Sequence, residues 1–378
     1  MKPLLSILFI MRKNILKIHS VIGLITGVVV LIVSITGCLW VFKEELEDSK
    51  PKPISIYQAN TGVIAPAKAK LIGEKINPNR AIHGVLYQQE HDVIEVIYYQ
   101  NEPKFYQSLY IDPYSGESLG QKNHLSGFFS FVLDGHVNLW LPADIGGWIV
   151  RISVLLFLIM VISGIILWWP KTKKGRKQRL SFQWKKTTRW KRKNYDLHSV
   201  LGFYICSLAF VLAFTGSVMA FDWFYYITYK AWGGDKNPAF VIPNVPKDAN
   251  TSSDTKQMDL LIPNLKSKYS NANNFELHYP NSDSSAVYVE IGYSNLHYSN
   301  DYKFFDPQTL KEIHVDGIYG SYEDADIADL VIRANYDIHI GAIGGILGKI
   351  LAFIISLLSA SLPITGFLMW YGRRKKKN

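Results

Sequence analysis

The sequence predicts a membrane α-helical protein: four transmembrane helices arranged as two parallel repeats, with two extracytoplasmic α+β lobes. Three observations predict this. Four stretches are long and apolar enough to cross a bilayer. A histidine-led segment occurs twice at unchanged spacing: His19-Ser-Val-Ile-Gly23 runs on to Thr36-Gly37, and His198-Ser-Val-Leu-Gly202 runs on to Thr215-Gly216. Basic residues crowd beside one end of the apolar stretches while acidic residues lie elsewhere.

The charge distribution fixes the expected orientation. The chain has 378 residues, 48% of them hydrophobic, and a net charge of +10, with a mean hydropathy of +0.05. Of its 41 Lys and Arg residues, 21 lie in residues 1–17, 171–193 and 373–377, which flank apolar stretches. The remainder carries 20 basic against 31 acidic residues, so the two sides of the membrane differ in sign. This is the positive-inside pattern, and it argues against nucleic acid as a partner. The basic loop also suits anionic membrane lipid.

In chain order, residues 1–14 form a cytoplasmic N-terminus and 15–42 the first transmembrane helix, ending at Trp40 before Lys43-Glu44-Glu45. That stretch lacks a small-residue cleavage site and is too long for the apolar core of a signal peptide, so it is expected to be retained. Residues 43–145 form the first lobe, with a helix at 65–76 and strands at 81–88, 92–99 and 107–111. The last strand leads into the turn Asp112-Pro113-Tyr114-Ser115-Gly116. An aromatic approach, Phe128–Leu141, carries His136 into the second transmembrane helix at 146–169, which closes on Trp168-Trp169-Pro170. Residues 170–194 are the basic cytoplasmic loop and 195–222 the third transmembrane helix. The second lobe, 223–342, repeats the plan: a Pro/Asn/Asp/Ser-rich entry at 237–256, a helix at 257–269, strands at 275–279, 285–292 and 302–305, and a turn at Asp306-Pro307. His339 precedes the fourth transmembrane helix at 343–371, and 372–378 form a basic cytoplasmic tail.

Parallel repeats place His19 and His198 at one depth, near the cytoplasmic face, and His136 and His339 at another, near the outer face. Metal-binding side chains entering apolar helices are functional candidates by default. Each pair can grip one flat cofactor from both sides, and bis-histidine ligation of two non-covalent b-type haems is the natural candidate. The absence of Cys-x-x-Cys-His excludes covalent attachment. One four-histidine metal site is disfavoured, because most of a hydrocarbon core of about 30 Å separates the layers. Two separate two-histidine metal sites would need further ligands. Gly23 and Gly202, and the pairs Thr36-Gly37 and Thr215-Gly216 further along, allow close helix approach or room for a macrocycle. Arg151 and Lys349, each four residues after a glycine, either pair with haem propionates or snorkel to the interface. His83, His91, His124, His278, His297 and His314 fall in the lobes and read as surface residues. Cys38 and Cys206 lie at depths differing by roughly 16 Å and cannot pair. No catalytic side chain is identified. No Rossmann-type glycine motif occurs, so the electron donor is quinol or a separate cytoplasmic reductase.

The His-Ser-x-x-Gly opening, the lobe segment Leu109-Tyr-Ile-Asp-Pro-Tyr-Ser-Gly-Glu117 and Gly135-His-x-Asn-Leu-Trp140 resemble the PepSY-associated transmembrane family over nearly the whole chain. The resemblance implies PepSY-like lobes of helix and antiparallel strands in the periplasm and both termini in the cytoplasm of a bacterial inner membrane. It implies haem b held by His19, His198, His136 and His339, and reduction of a ferric-siderophore substrate to release iron. One departure is the second turn, Asp306-Pro-Gln-Thr-Leu-Lys311, which lacks the glycine of the first. The alternative is a haem-free membrane sensor or scaffold that binds peptides or proteases, or a small transporter accessory protein.

Overall fold

The computed structural model describes residues 2–47, 50–54, 62–88, 92–170, 173–245, 255–282 and 284–374. His91, Lys171, the tail lysines Lys375, Lys376 and Lys377, and part of the 237–256 entry lie outside the described residues. In chain order the helices are α1 (Lys2–Trp40), α2 (Lys43–Leu46), α3 (Pro66–Ile76), α4 (Phe128–Asn138), α5 (Ala143–Trp168), α6 (Lys173–Leu180), α7 (Trp190–Asp196), α8 (Gly202–Ala220), α9 (Asp222–Ala231), α10 (Leu261–Lys268), α11 (Ile327–Arg333), α12 (Asn335–His339) and α13 (Gly345–Arg374). A π-helical turn, Leu197–Leu201, joins α7 to α8 and contains His198. The chain divides into two compact units: Met1–Glu47, Phe128–Tyr225 and Asn335–Asn378 form one, and Asp48–Gly127 with Tyr226–Ala334 form the other.

The first unit is helical. Four of its helices, Ile10–Trp40, Ala143–Trp168, Trp190–Ala220 and Ala342–Arg373, are long and apolar enough to cross a membrane. They form a ring in which α1 packs on α5, α5 on α8, α8 on α13 and α13 on α1. Glycine lets two of these contacts close: a Cβ on Gly23 would come 2.9 Å from Met160 Cε, and one on Gly27 would come 3.4 Å from Pro363 Cβ. Gly23 therefore serves helix approach. At the end of α5, Arg12 donates to the carbonyls of Leu167 and Trp169, and Arg179 to those of Leu167 and Trp168. Two guanidinium groups thus satisfy carbonyls that the helix end leaves open.

The approach carrying His136 was expected within the first lobe. It forms α4 and packs on α1 and α5 in the helical unit instead. The α4–α5 hairpin turns through Leu139 (φ 56°) and Trp140 (φ 57°) and closes where a Cβ on Gly146 would overlap the Asn138 carbonyl at 1.8 Å. The α12–α13 turn closes the same way, with a Cβ on Gly348 falling 2.2 Å from the Gly341 carbonyl oxygen.

The second unit is built on one antiparallel sheet of eight strands, ordered β4-β3-β2-β1-β5-β6-β7-β8. The strands are β1 (Ile82–Tyr87), β2 (Ile94–Gln100), β3 (Phe105–Ile111), β4 (Ser118–Asn123), β5 (Asn274–His278), β6 (Val287–Gly292), β7 (Asp301–Phe305) and β8 (Glu312–Ile313). Two strands were not expected from the sequence: β4, polar apart from Leu119 and Gly120, and β8, which is two residues long. The two insertions expected as separate lobes share this sheet, because β1 pairs with β5 with Val85 opposite Leu277. One face carries the apolar core of Val85, Ile94, Val96, Leu109, Leu277, Val289 and Ile291, packed with residues of α3 and α10 such as Ala69 and Leu265.

Strand alternation sends Glu95, Ser108, Glu276, His278 and Glu290 to the opposite face, and this corrects the expectation that the lobe histidines are all surface residues. His278 is buried, and its ring stacks on Tyr288 at 4.1 Å. His83 is half-buried, with Nε2 3.0 Å from His278 Nδ1. His124 is half-buried and stacks on Tyr106, whereas His297 and His314 are exposed. A register shift between Ile82 and Gly84 brackets His83, and such irregularities re-aim a side chain. Burial, reinforced by Glu290 and Glu95, pushes the Glu276 carboxyl up to about 8. Burial and the neighbouring His83 push the His278 imidazole down to about 3. Their 3.3 Å contact is therefore between neutral groups near pH 7.

The turn lacking glycine folds like its counterpart. Asp112 Oδ1 accepts from the amides of Tyr114 and Ser115, and Asp306 Oδ1 accepts from those of Gln308 and Thr309. Where the first turn has Gly116 at φ +77°, the second has Leu310 at φ 54°.

Candidate functional site

The four histidines singled out by the sequence meet in two pairs. The rings of His19 and His198 lie 6.4 Å apart between centroids, and those of His136 and His339 lie 6.3 Å apart. All four are half-buried. His19 is on α1, His198 in the π-helical turn before α8, His136 on α4 and His339 at the end of α12. The rise along α1 from His19 to Thr36, which holds His136, separates the layers by roughly 25 Å.

Each ring occupies the same kind of seat, a hydroxyl residue followed by glycine on a neighbouring helix. His19 Nδ1 lies 2.8 Å from Ser163 Oγ, and its Cε1 sits 3.6 Å from where a Cβ of Gly164 would be. His198 Nδ1 lies 3.0 Å from Thr365 Oγ1, with Gly366 beneath at 3.4 Å. His136 Nδ1 lies 3.2 Å from Thr36 Oγ1, with Gly37 at 3.2 Å, and His339 Nδ1 lies 2.9 Å from Thr215 Oγ1, with Gly216 at 3.3 Å. The sequence reading gave Thr36-Gly37 and Thr215-Gly216 a general spacing role and missed Ser163-Gly164 and Thr365-Gly366. The recurring hydroxyl-glycine dipeptide in all four spans was the signal.

These seats determine the tautomer. A hydroxyl has one proton, and each of the four donates it within its own helix. Ser163 donates to the Met160 carbonyl, Thr36 to Ile32, Thr215 to Val211 and Thr365 to Ser361. Each oxygen must then accept from Nδ1–H of its histidine. Backbone carbonyls reinforce this at two rings, Val33 at 2.9 Å from His136 Nδ1 and Leu362 at 3.1 Å from His198 Nδ1. In its neutral form each ring then carries its proton on Nδ1, which leaves the Nε2 lone pair available to a metal.

The spacing suits one metal ion per pair. Metal–nitrogen bonds of about 2 Å on opposite sides of an ion put two imidazole centroids roughly 6 Å apart. Among the described residues no group of three or more His, Cys, Asp or Glu side chains is placed to hold a metal. Each pair therefore supplies two imidazole nitrogens and, among the described residues, no further His, Cys, Asp or Glu donor, a set that a macrocycle bringing its own nitrogens could complete.

The two cationic candidates go elsewhere. Lys349 is buried and its ammonium donates to Glu44 and Glu45, each at 2.8 Å. The Arg151 guanidinium is exposed and lies 5.5 Å from the Trp148 ring centroid. Cys38 and Cys206 are both free thiols. In Gly135-His-x-Asn-Leu-Trp140, the indole of Trp140 lies over Gly135, where a Cβ would come within 2.3 Å, and donates to the Phe131 carbonyl at 2.9 Å. That motif therefore shapes the hairpin presenting His136.

Residues 16–373 match a family model described as the PepSY-associated TM region. No curated protein matches the chain.

Proposed function

The chain belongs to the PepSY-associated transmembrane family, and on that premise we propose that it is a di-haem b oxidoreductase that passes electrons outward to a ferric siderophore. The observation that carries the reading is the fourfold seat: four imidazoles, in two facing pairs, all with Nδ1 committed and Nε2 free. His19 and His198 would hold one haem, and His136 and His339 the other. Bound haem supplies one-electron redox chemistry. The side chains would fix the orientation of each ligand, hold its proton on Nδ1 and set the two sites at different depths of the helical unit.

The expected setting is a bacterial inner membrane, with the basic loop and both termini cytoplasmic and the sheet unit periplasmic, as the charge asymmetry supports. The electron donor is quinol or a cytoplasmic reductase. Each ferric ion takes up one electron, and Fe(II) binds hard oxygen chelators less strongly than Fe(III), so reduction favours release.

The test is a visible spectrum of the purified protein, oxidised and then dithionite-reduced, with haem quantified per chain. Two haems and a sharp reduced α-band are expected, and re-oxidation of the reduced protein by a ferric hydroxamate should restore the oxidised spectrum. A colourless protein after expression with ample haem would sink the reading and favour the sensor or scaffold. A haem-loaded protein that no ferric chelate re-oxidises would leave the haem sites and remove the substrate.

A further inference from the structure

Two of the four histidines are preceded by the same residues. Asn194-Tyr-Asp-Leu-His198 and Asn335-Tyr-Asp-Ile-His339 share four of five positions and differ only by Leu for Ile. The internal repeat does not account for this. His198 matches His19, and His339 follows the plan of His136, yet the positions four residues before His19 and His136 are Ile15 and Val132. The pentapeptide recurs across the two layers instead, once in each histidine pair, so a shared local task accounts for it better than the repeat.

The structure gives that task. Asn194 Nδ2 donates to the Thr365 carbonyl at 2.9 Å, and Asn335 Nδ2 donates to the Thr215 carbonyl at 3.0 Å. Thr365 and Thr215 are the residues whose hydroxyls accept from His198 and His339. Residues i and i+4 share a helix face, so each threonine is held at two atoms by one face of the opposing segment. A segment tied at a single atom can pivot; one tied at two atoms a turn apart is fixed in tilt and in register. Both asparagines are buried, at 4% and 7% exposure, so losing the partner of either amide would leave a desolvated carbonyl and shift the segment.

We propose that Asn194 and Asn335 are positioning residues that make His198 and His339 the anchored ligand of their respective haems, while His19 and His136 complete the coordination without such a tie. This rests on the di-haem reading. It assigns a distinct role within each pair that ligation alone does not.

The experiment compares the wild-type chain with Asn194→Leu and Asn335→Leu, which keep a similar volume and lose the donor. Haem per chain, the redox titration and the low-spin ferric resonance spectrum are measured, with His198→Ala and His339→Ala assigning each signal to a layer. Asn335→Leu should weaken haem binding in the His136/His339 layer by 10–100-fold, the usual effect of losing a group that orients a ligand. Its potential and resonance should move while those of the His19/His198 layer stay. Asn194→Leu should do the reverse. The undisturbed haem in each variant reports that the chain is folded. The proposal is overturned by two haems of unmoved affinity, potential and resonance in both variants, or by equal loss of both haems from either one. A wild-type protein that binds no haem would instead remove the di-haem reading itself, so the two failures are distinct.

Discussion

At the scale of single residues, the decisive groups are hydroxyls that have already given away their protons. Thr215 donates to Val211, so toward His339 it can only accept. Thr215→Val keeps the shape and removes the acceptor; haem affinity in that layer should fall by about 10-fold or more, read by haem titration of the purified chain. Leu310 holds a left-handed conformation that costs a non-glycine residue about 1 kcal/mol. Leu310→Gly should therefore stabilise the sheet unit or leave it nearly unchanged, despite the greater freedom glycine gives the unfolded chain. Gly116→Ala should destabilise it, since the added Cβ would also meet Ile72 Cδ1 at 2.8 Å; denaturant unfolding distinguishes the two. Glu276 and His278 give the sheet unit a signed pH dependence. Unfolded, they titrate near 4.5 and 6.5; folded, near 8 and 3. From about 4.5 to 8 the folded chain keeps a proton on Glu276 that the unfolded chain has lost, so this group's contribution falls as pH rises. Below about 6.5 the unfolded chain takes a proton that buried His278 refuses, so stability also falls toward acid. The two offset each other between about 4.5 and 6.5, which should be the plateau. Glu276→Gln should remove the alkaline decline and keep the acid one, as measured by melting temperature against pH.

At the scale of elements, the site depends on how two short helices are folded back onto long ones. α4 and α12 bring His136 and His339 to glycine seats on α1 and α8, and each returns through a turn closed by glycine against a carbonyl. A backbone carbonyl cannot swing aside as a flexible side chain can. Gly146→Ala should therefore cost about 1–3 kcal/mol, as overpacking does, and should loosen the His136/His339 layer before the His19/His198 layer. Thermal unfolding followed by haem absorbance would show this as two separated losses; one simultaneous loss would contradict it. The π-helical turn around His198 is the equivalent device in the other layer, since a π turn re-aims the residues it contains and recurs at functional positions.

At the scale of the whole molecule, the charge asymmetry makes a topological prediction. In a background with Cys38 and Cys206 replaced by alanine, a cysteine at exposed Thr309 should react with a membrane-impermeant maleimide in intact cells. A cysteine at exposed Lys185 should react only after lysis. Reaction of both before lysis, or of Lys185→Cys alone, would contradict the assignment.

Four membrane-length helices, the main strands and the four histidines that meet in two pairs are all legible in the sequence alone. Hydropathy, strand alternation and the repeated His-to-Gly spacing are local properties of the chain and need no partner to be read. Helix and strand packing set what those residues do to one another. Ser163 meets His19, and Thr365 meets His198, across more than a hundred residues of chain, and only helix packing joins them. The same holds for Lys349, which read as a propionate partner or a snorkelling side chain until α13 placed it against Glu44 and Glu45. His278 read as a surface residue until β1 paired with β5 and the strand register turned it inward. A side chain's proton inventory, burial and partner are set by contacts between distant segments, and these are made only when the helices and the sheet assemble.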